Sequence, residues 1–110
     1  MDSLDRVQTI DKYLGDPSEA DWVSSGDPLV YKDNVLLTMP AYSAGTVLAS
    51  TVYMWYGNVK ARMKSSRGNG VVSAFILLSD VKDEIDFEFI GADLETVQTN
   101  YYYQANPVCK

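Results

Sequence analysis

The period of apolar and polar positions changes once along the chain. In residues 3–14, Leu4, Val7, Ile10 and Leu14 recur at roughly helical spacing, and Gly15 with Pro17 would end such a segment. This predicts one short N-terminal helix. From Pro28 onward, short β-type runs separated by turn residues take over. Residues 29–31 and 35–39 flank Lys32, Asp33 and Asn34 at hairpin spacing, and 40–45 reads as a loop. Residues 46–56 are rich in Val, Thr, Tyr and Trp, and Gly57 with Asn58 marks a bend or bulge. Val59, Ala61 and Met63 then alternate with Lys60, Arg62 and Lys64, a period-2 strand pattern with one apolar and one cationic face. After a turn over 65–70, residues 71–78 are apolar on both faces, as in a strand deep in a sandwich. Segments 84–89 and 95–104 complete the pattern, with 90–94 as the loop between them. No repeat, linker or low-complexity tract interrupts it, so the expected class is all-β: an antiparallel β-sandwich of about six to eight strands.

Composition narrows the chemistry. The 110 residues are 46% apolar and 22% charged, which suits a folded chain of one domain at most and not a disordered one. Lys and Arg number 9 against 15 Asp and Glu, a net charge of −6 with no basic block. That argues against nucleic acid or an anionic membrane surface as partner, because such affinity comes from cations neutralising phosphates. A neutral substrate fits better. There is no His, so Ser/His/Asp and Cys/His nucleophiles and His-ligated metals are excluded, and carboxylates are left as the acid/base pair. Cys109 is the only cysteine, so no intrachain disulfide is expected. The N-terminus lacks a basic region followed by an apolar one, so no signal peptide is read, and the run 71–78 is far shorter than the ~20 residues of a membrane span.

Residues 84–89, Glu-Ile-Asp-Phe-Glu-Phe, carry the most information. Strand alternation sends Ile85, Phe87 and Phe89 to one face and Glu84, Asp86 and Glu88 to the other. Three carboxylates about 7 Å apart repel one another, and desolvation or a shared proton favours one ionised and one protonated member. Glycoside cleavage requires such a pair. Glu84 and Glu88 lie roughly 13 Å apart at Cα on an ideal strand, and side chains leaning inward could approach the ~5 Å of a retaining enzyme. The same E-x-D-x-E pattern also describes a solvated outer sheet face. A calcium site is a third reading, since Asp80 and Asp83 lie close by, but the glycine and spacing of an EF-hand loop are absent.

The string DEIDFEFIG, followed after a short loop by VQTNYYYQ, resembles the active-site segment of glycoside hydrolase family 16. Upstream, TIDKYLGDPSEADW, VLLTMP, GTVLAST and MWYGNVKARMKSSRGNGVVSAFILLSDVKDEID resemble more narrowly its fungal Crh-type branch, cell-wall transglycosylases that join chitin to β-glucan. The likeness runs over about residues 3–104, with 105–110 a divergent tail. It implies a concanavalin A-like jelly roll of which 1–110 is the N-terminal half, with no metal or cofactor. Glu84 is then expected as nucleophile, Glu88 as general acid/base, and Asp86 between them as the group that hydrogen-bonds Glu84. Gln98, Asn100 and Tyr102 are expected as sugar contacts from the neighbouring strand. Arg62 reads either as a cleft residue orienting the carboxylates or as an ordinary surface cation. Trp55 and Tyr53 read either as stacking platforms for a pyranose ring or as core aromatics. Lys60 departs from the acidic residue that many bacterial members carry.

Domains of that family are about twice as long. The resemblance therefore implies a truncated chain from an extracellular or cell-wall protein, acting on chitin or β-glucan, with apolar inner-face residues uncovered. An isolated half sandwich is expected to be poorly stable and prone to aggregate. Two other readings stay open: a carbohydrate-binding module without turnover, and an inactive fragment.

Overall fold

A computed structural model describes residues 3–108. Among them every regular element is a β-strand, and no helix is long and apolar enough to cross a membrane. The chain divides into two compact units, Met1–Trp55 and Tyr56–Lys110.

The first unit holds β1 (Val7–Thr9), β2 (Trp22–Ser25), β3 (Pro28–Tyr31), β4 (Asn34–Leu37) and β5 (Val47–Ser50). β1, β2 and β5 form one sheet and β3 with β4 a hairpin. The N-terminal helix expected over 3–14 does not form. Val7–Thr9 instead pairs in parallel with β2, Val7 opposite Trp22, the one departure from antiparallel pairing among the described residues. The β-branched residues Val7, Thr9 and Ile10 favour extended backbone, and β2 supplies the partners that a short isolated helix would lack. Burial agrees, since Leu14, which completed the helical stripe, is 90% exposed. Ala20 and Ser24 are the buried positions of this unit among the described residues, and the Thr51 hydroxyl donates to the Ala20 carbonyl at 2.7 Å. An exposed Arg6–Asp21 ion pair at 2.9 Å adds about 0–1 kcal/mol at most.

The hairpin turn follows directly from its residues. Lys32 and Asp33 both take positive φ, 47° and 62°, the two-residue turn whose twist matches the flanking strands. Asn34 Nδ2 donates to the Lys32 carbonyl and helps hold it. The strand pattern read over 46–56 contracts to Val47–Ser50, where β2 provides a ladder.

The second unit holds β6 (Val72–Leu78), β7 (Glu84–Ile90), β8 (Gln98–Tyr103) and β9 (Asn106–Pro107), hydrogen-bonded in that order and all antiparallel. Residues 59–64, expected as a strand, are not in one: alternation permits a strand, but only a ladder partner makes one, and here none is engaged. The tail beyond Gln104 folds back as β9 through a turn in which Gln104 and Ala105 take φ 48° and 65°. Pro107 closes that edge without a donor, a common way of blunting a sheet edge. Cys109 lies outside the described residues.

Gly91 follows β7 at a close approach of two backbone segments. Its N–H donates to the Val71 carbonyl at 2.8 Å and its carbonyl accepts from Gly68 N–H at 3.1 Å. A Cβ there would overlap the Gly68 carbonyl oxygen. Gly91→Ala is expected to cost about 1–3 kcal/mol, read as a lowered urea midpoint, with Gly15→Ala, whose added methyl meets nothing but whose φ is positive, as the comparison.

In the β7–β8 connection the Thr96 hydroxyl, and then the Glu95 N–H, hold the Asp93 carboxyl below the ordinary carboxylate range. A carboxyl lowered on folding adds stability above its unfolded value and loses it as pH falls through the folded one. NMR titration should place Asp93 below 3.8, and Asp93→Asn should remove that part of the acid sensitivity.

Candidate active site

β7 is an interior strand, with β6 on one side and β8 on the other. The pleat puts Glu84, Asp86 and Glu88 on one face and Ile85, Phe87 and Phe89 on the other. Register then decides what meets each carboxylate. Glu84 lies opposite Tyr102, Asp86 opposite Asn100 and Glu88 opposite Gln98 on β8. On β6 the corresponding residues are Leu78, Ile76 and Ala74. Each carboxylate thus sits between an apolar residue and a neutral hydrogen-bonding one.

Asp86, at the middle of the middle strand, is only 4% exposed, while Glu84 and Glu88 are half-buried. A buried carboxylate needs hydrogen-bonding partners or a ligand. Among the described residues no side-chain hydrogen bond or ion pair reaches Asp86, and it faces a hollow of about 350 Å³. Glu88, Gln98, Thr99, Asn100 and Tyr102 complete the wall. Asn100 Oδ1 accepts from the Tyr101 N–H at 2.8 Å, which leaves its Nδ2 as the free, donating end. The hollow therefore pairs carboxylates with neutral donors and acceptors, a lining that suits a hydroxyl-rich neutral ligand.

Of the residues singled out from sequence, Asp86, Glu88, Gln98, Asn100 and Tyr102 come together around the hollow. Glu84 shares their face one pleat further along, beside Tyr102, but does not line it. Arg62 is exposed on the irregular stretch between β5 and β6 and lines none of it. Trp55, 94% exposed, belongs to the first unit. Thr99 was passed over by the alternation argument: its register partner is Phe87, on the opposite face, yet it borders the hollow. No group of His, Cys, Asp or Glu suited to hold a metal ion occurs among the described residues.

Comparison with known proteins gives a consistent result. The chain is 64% identical to Crh-like protein 3 of Botryotinia fuckeliana over 102 residues, 93% of this chain and 23% of the relative. It is 61% identical to Crh-like protein 2 of Aspergillus fumigatus over 102 residues, again 93% of this chain and 23% of the relative. Congo red hypersensitive protein 2 of Saccharomyces cerevisiae is 50% identical over 106 residues, 94% of this chain and 23% of its own length. The chain thus spans about a quarter of the length of these relatives. No solved structure matches it. The family model for glycosyl hydrolases family 16 matches residues 16–108, the stretch that contains all three carboxylates and every residue lining the hollow, and the chain belongs to that family.

Proposed function

We propose that this chain carries the catalytic strand of a retaining cell-wall glycosidase or transglycosylase acting on chitin or β-glucan. The observation that carries this reading is the register of β7 with β8, which gives each of the three carboxylates a tyrosine or amide neighbour on one face. Glu84 attacks the anomeric carbon. The bond to the departing sugar breaks as Glu88 passes its proton to the glycosidic oxygen, and a covalent glycosyl-enzyme forms. Glu88, now ionised, then takes the proton from a water or sugar hydroxyl that attacks the same carbon and frees Glu84. Two inversions give net retention.

Asp86 lies between them on the same face of β7 and orients Glu84 for attack once a glycan is bound. Gln98, Asn100 and Tyr102 hold sugar hydroxyls, and the Asn100 Nδ2 is the donor best placed beside Asp86. The reaction needs no cofactor. The choice between transfer and hydrolysis rests on how well an acceptor sugar excludes water from the second step. The substrate class places the working protein outside the cell, at the wall.

The test is incubation of chitin oligomers with labelled β-1,3-glucan oligomers, scoring joined and hydrolysed products separately. Label in a hybrid product supports transfer, and shortened donor alone supports hydrolysis.

A second reading has one observation in its favour. Glu84 does not line the hollow, which leaves a pocket able to bind a glycan without attacking it. Retention on a chitin or glucan column with neither product released would favour that binding role over turnover.

A further inference from the structure

One end of the second unit is built from two turns that hold each other. After β8 the chain reverses through Gln104 and Ala105, both at positive φ, 48° and 65°. Neither is a glycine, so the turn carries strain that its surroundings must offset. The β6–β7 connection supplies the hold. Gln104 N–H donates to Asp83 Oδ1 at 3.0 Å, and Ala105 N–H donates to the Lys82 carbonyl at 2.9 Å. Asn106 Nδ2 adds a bond to the Gln104 carbonyl at 3.2 Å. Yet the element that this clip delivers, β9, is a short strand whose two residues are both exposed. Its own packing does not explain the strain.

Its placement does. β9 pairs with the end of β8 so that Pro107 lies opposite Tyr102 and Asn106 opposite Tyr103. Val108 N–H donates to the Tyr101 carbonyl at 3.1 Å. A bond between the residues flanking a pair marks that pair as the non-hydrogen-bonded kind, in which Cα atoms approach to about 4.5 Å and side chains come closest. Tyr102 and Pro107 are such a pair. The proline nitrogen faces away from β8 there, so its missing donor costs the ladder nothing. Opposed residues share a face, which puts Pro107 on the carboxylate face in one row with Glu84 and Tyr102. Tyr102 is the aromatic residue that lines the hollow, and it is half-buried where Tyr101 and Tyr103 are 50% and 61% exposed. The rows of Asp86 and Glu88 end on Asn100 and Gln98, with no residue of β9 beyond them.

We propose that Pro107 is a positioning residue for the glycan site: its ring packs against the phenol of Tyr102 on the side away from Glu84 and holds it over the hollow, and the Asp83–Gln104 clip keeps that ring in place. The proposal rests on the reading of Tyr102 as a sugar contact. With Glu84 on one side and a saturated ring on the other, the phenol has fewer rotamers open to it. A side chain confined in advance loses less freedom when a sugar hydroxyl engages it. Pro107 acts in this way without touching the sugar, and on the Tyr102 row alone.

The test is a double-mutant cycle on binding in the 110-residue chain, read by equilibrium dialysis with labelled chitin oligomers and, separately, labelled β-1,3-glucan oligomers. Pro107→Ala is expected to weaken glycan binding about three- to tenfold in the parent chain and by less than about twofold in Tyr102→Ala. Pro107→Val, which restores bulk on that face, should bind within about twofold of the parent. Asp83→Ala frees the Gln104 N–H and should weaken binding as Pro107→Ala does. Equal weakening by Pro107→Ala in both backgrounds is the mark of a structural role and overturns the proposal. NMR reads the contact with no substitution at all: the Tyr102 ring should shift the Pro107 ring protons upfield, and ordinary positions for those protons overturn the packing. If Tyr102→Ala weakens binding and Pro107→Ala does not, the role of Pro107 falls and the glycan site stands. If Tyr102→Ala is itself without effect, or neither glycan binds, the sugar contact in the proposed function fails and this inference with it.

Discussion

Glu84→Gln is expected to reduce transfer and hydrolysis by about 10³-fold or more while leaving glycan retention on an affinity column nearly unchanged. The amide keeps the size and most hydrogen bonds of the carboxylate but cannot attack carbon, so binding and bond cleavage separate. Glu88→Gln removes the proton donor instead. Its loss should be large for natural glycans and much smaller for an aryl glycoside whose leaving group departs without a proton. Asp86→Asn removes charge from the middle of the row, and its effect should fall between the two. A small external nucleophile sharpens the assignment. Azide added to Glu84→Ala should give a glycosyl azide of inverted configuration, and added to Glu88→Ala one of retained configuration, because each variant lacks a different step. Equal activity in Glu84→Gln and the parent chain would remove Glu84 from the chemistry.

The 110-residue chain should melt without a sharp cooperative transition. Ala20 is the only buried apolar residue among those described, and no large side chain among them is fully covered. On the face of β7 away from the carboxylates Ile85 is 49% and Phe87 38% exposed, and Leu77, Tyr101 and Tyr103 around them are exposed as well. A domain of ~100 residues ordinarily unfolds with an enthalpy of about 60–80 kcal/mol, most of it from packing that this chain does not make. Calorimetry is expected to show a broad transition well short of that. A dye that binds exposed apolar surface should bind it strongly. Phe87→Lys supplies the control: by charging the bare face it should raise solubility and lower dye binding with little change in β-sheet circular dichroism. A single sharp transition of full enthalpy, or a collapse of β-structure in Phe87→Lys, would show that this face is packed in solution.

Local chemistry was legible from sequence wherever a decision depended on near neighbours. Lys32 and Asp33 mark the hairpin turn between two β-type runs, and 84–89 reads as a strand with its acids on one face, because alternation needs nothing outside the segment. The helix expected over 3–14 failed for the opposite reason. Leu4, Val7, Ile10 and Leu14 have helical spacing, but β2 offered Val7–Thr9 a backbone ladder, and a ladder outweighs a weak stripe with no surface to bury it. β2 itself went unseen, since Trp22, Val23, Ser24 and Ser25 hold too few apolar positions to show a period. The same reasoning covers 59–64, where the period is clear and the ladder absent.

The sequence alone therefore determined the acid trio, its common face, the lack of histidine in these residues and the family to which the chain belongs, all properties of residue identity and local period. Tertiary structure decided which residue meets which: Tyr102 with Glu84, Asn100 with Asp86, Gln98 with Glu88, Asp86 buried at the centre, and Thr99 on the wall of the hollow. Those are matters of register between strands far apart in the chain. Register is set by turns, bulges and the burial of whole faces together, and no single segment contains that information.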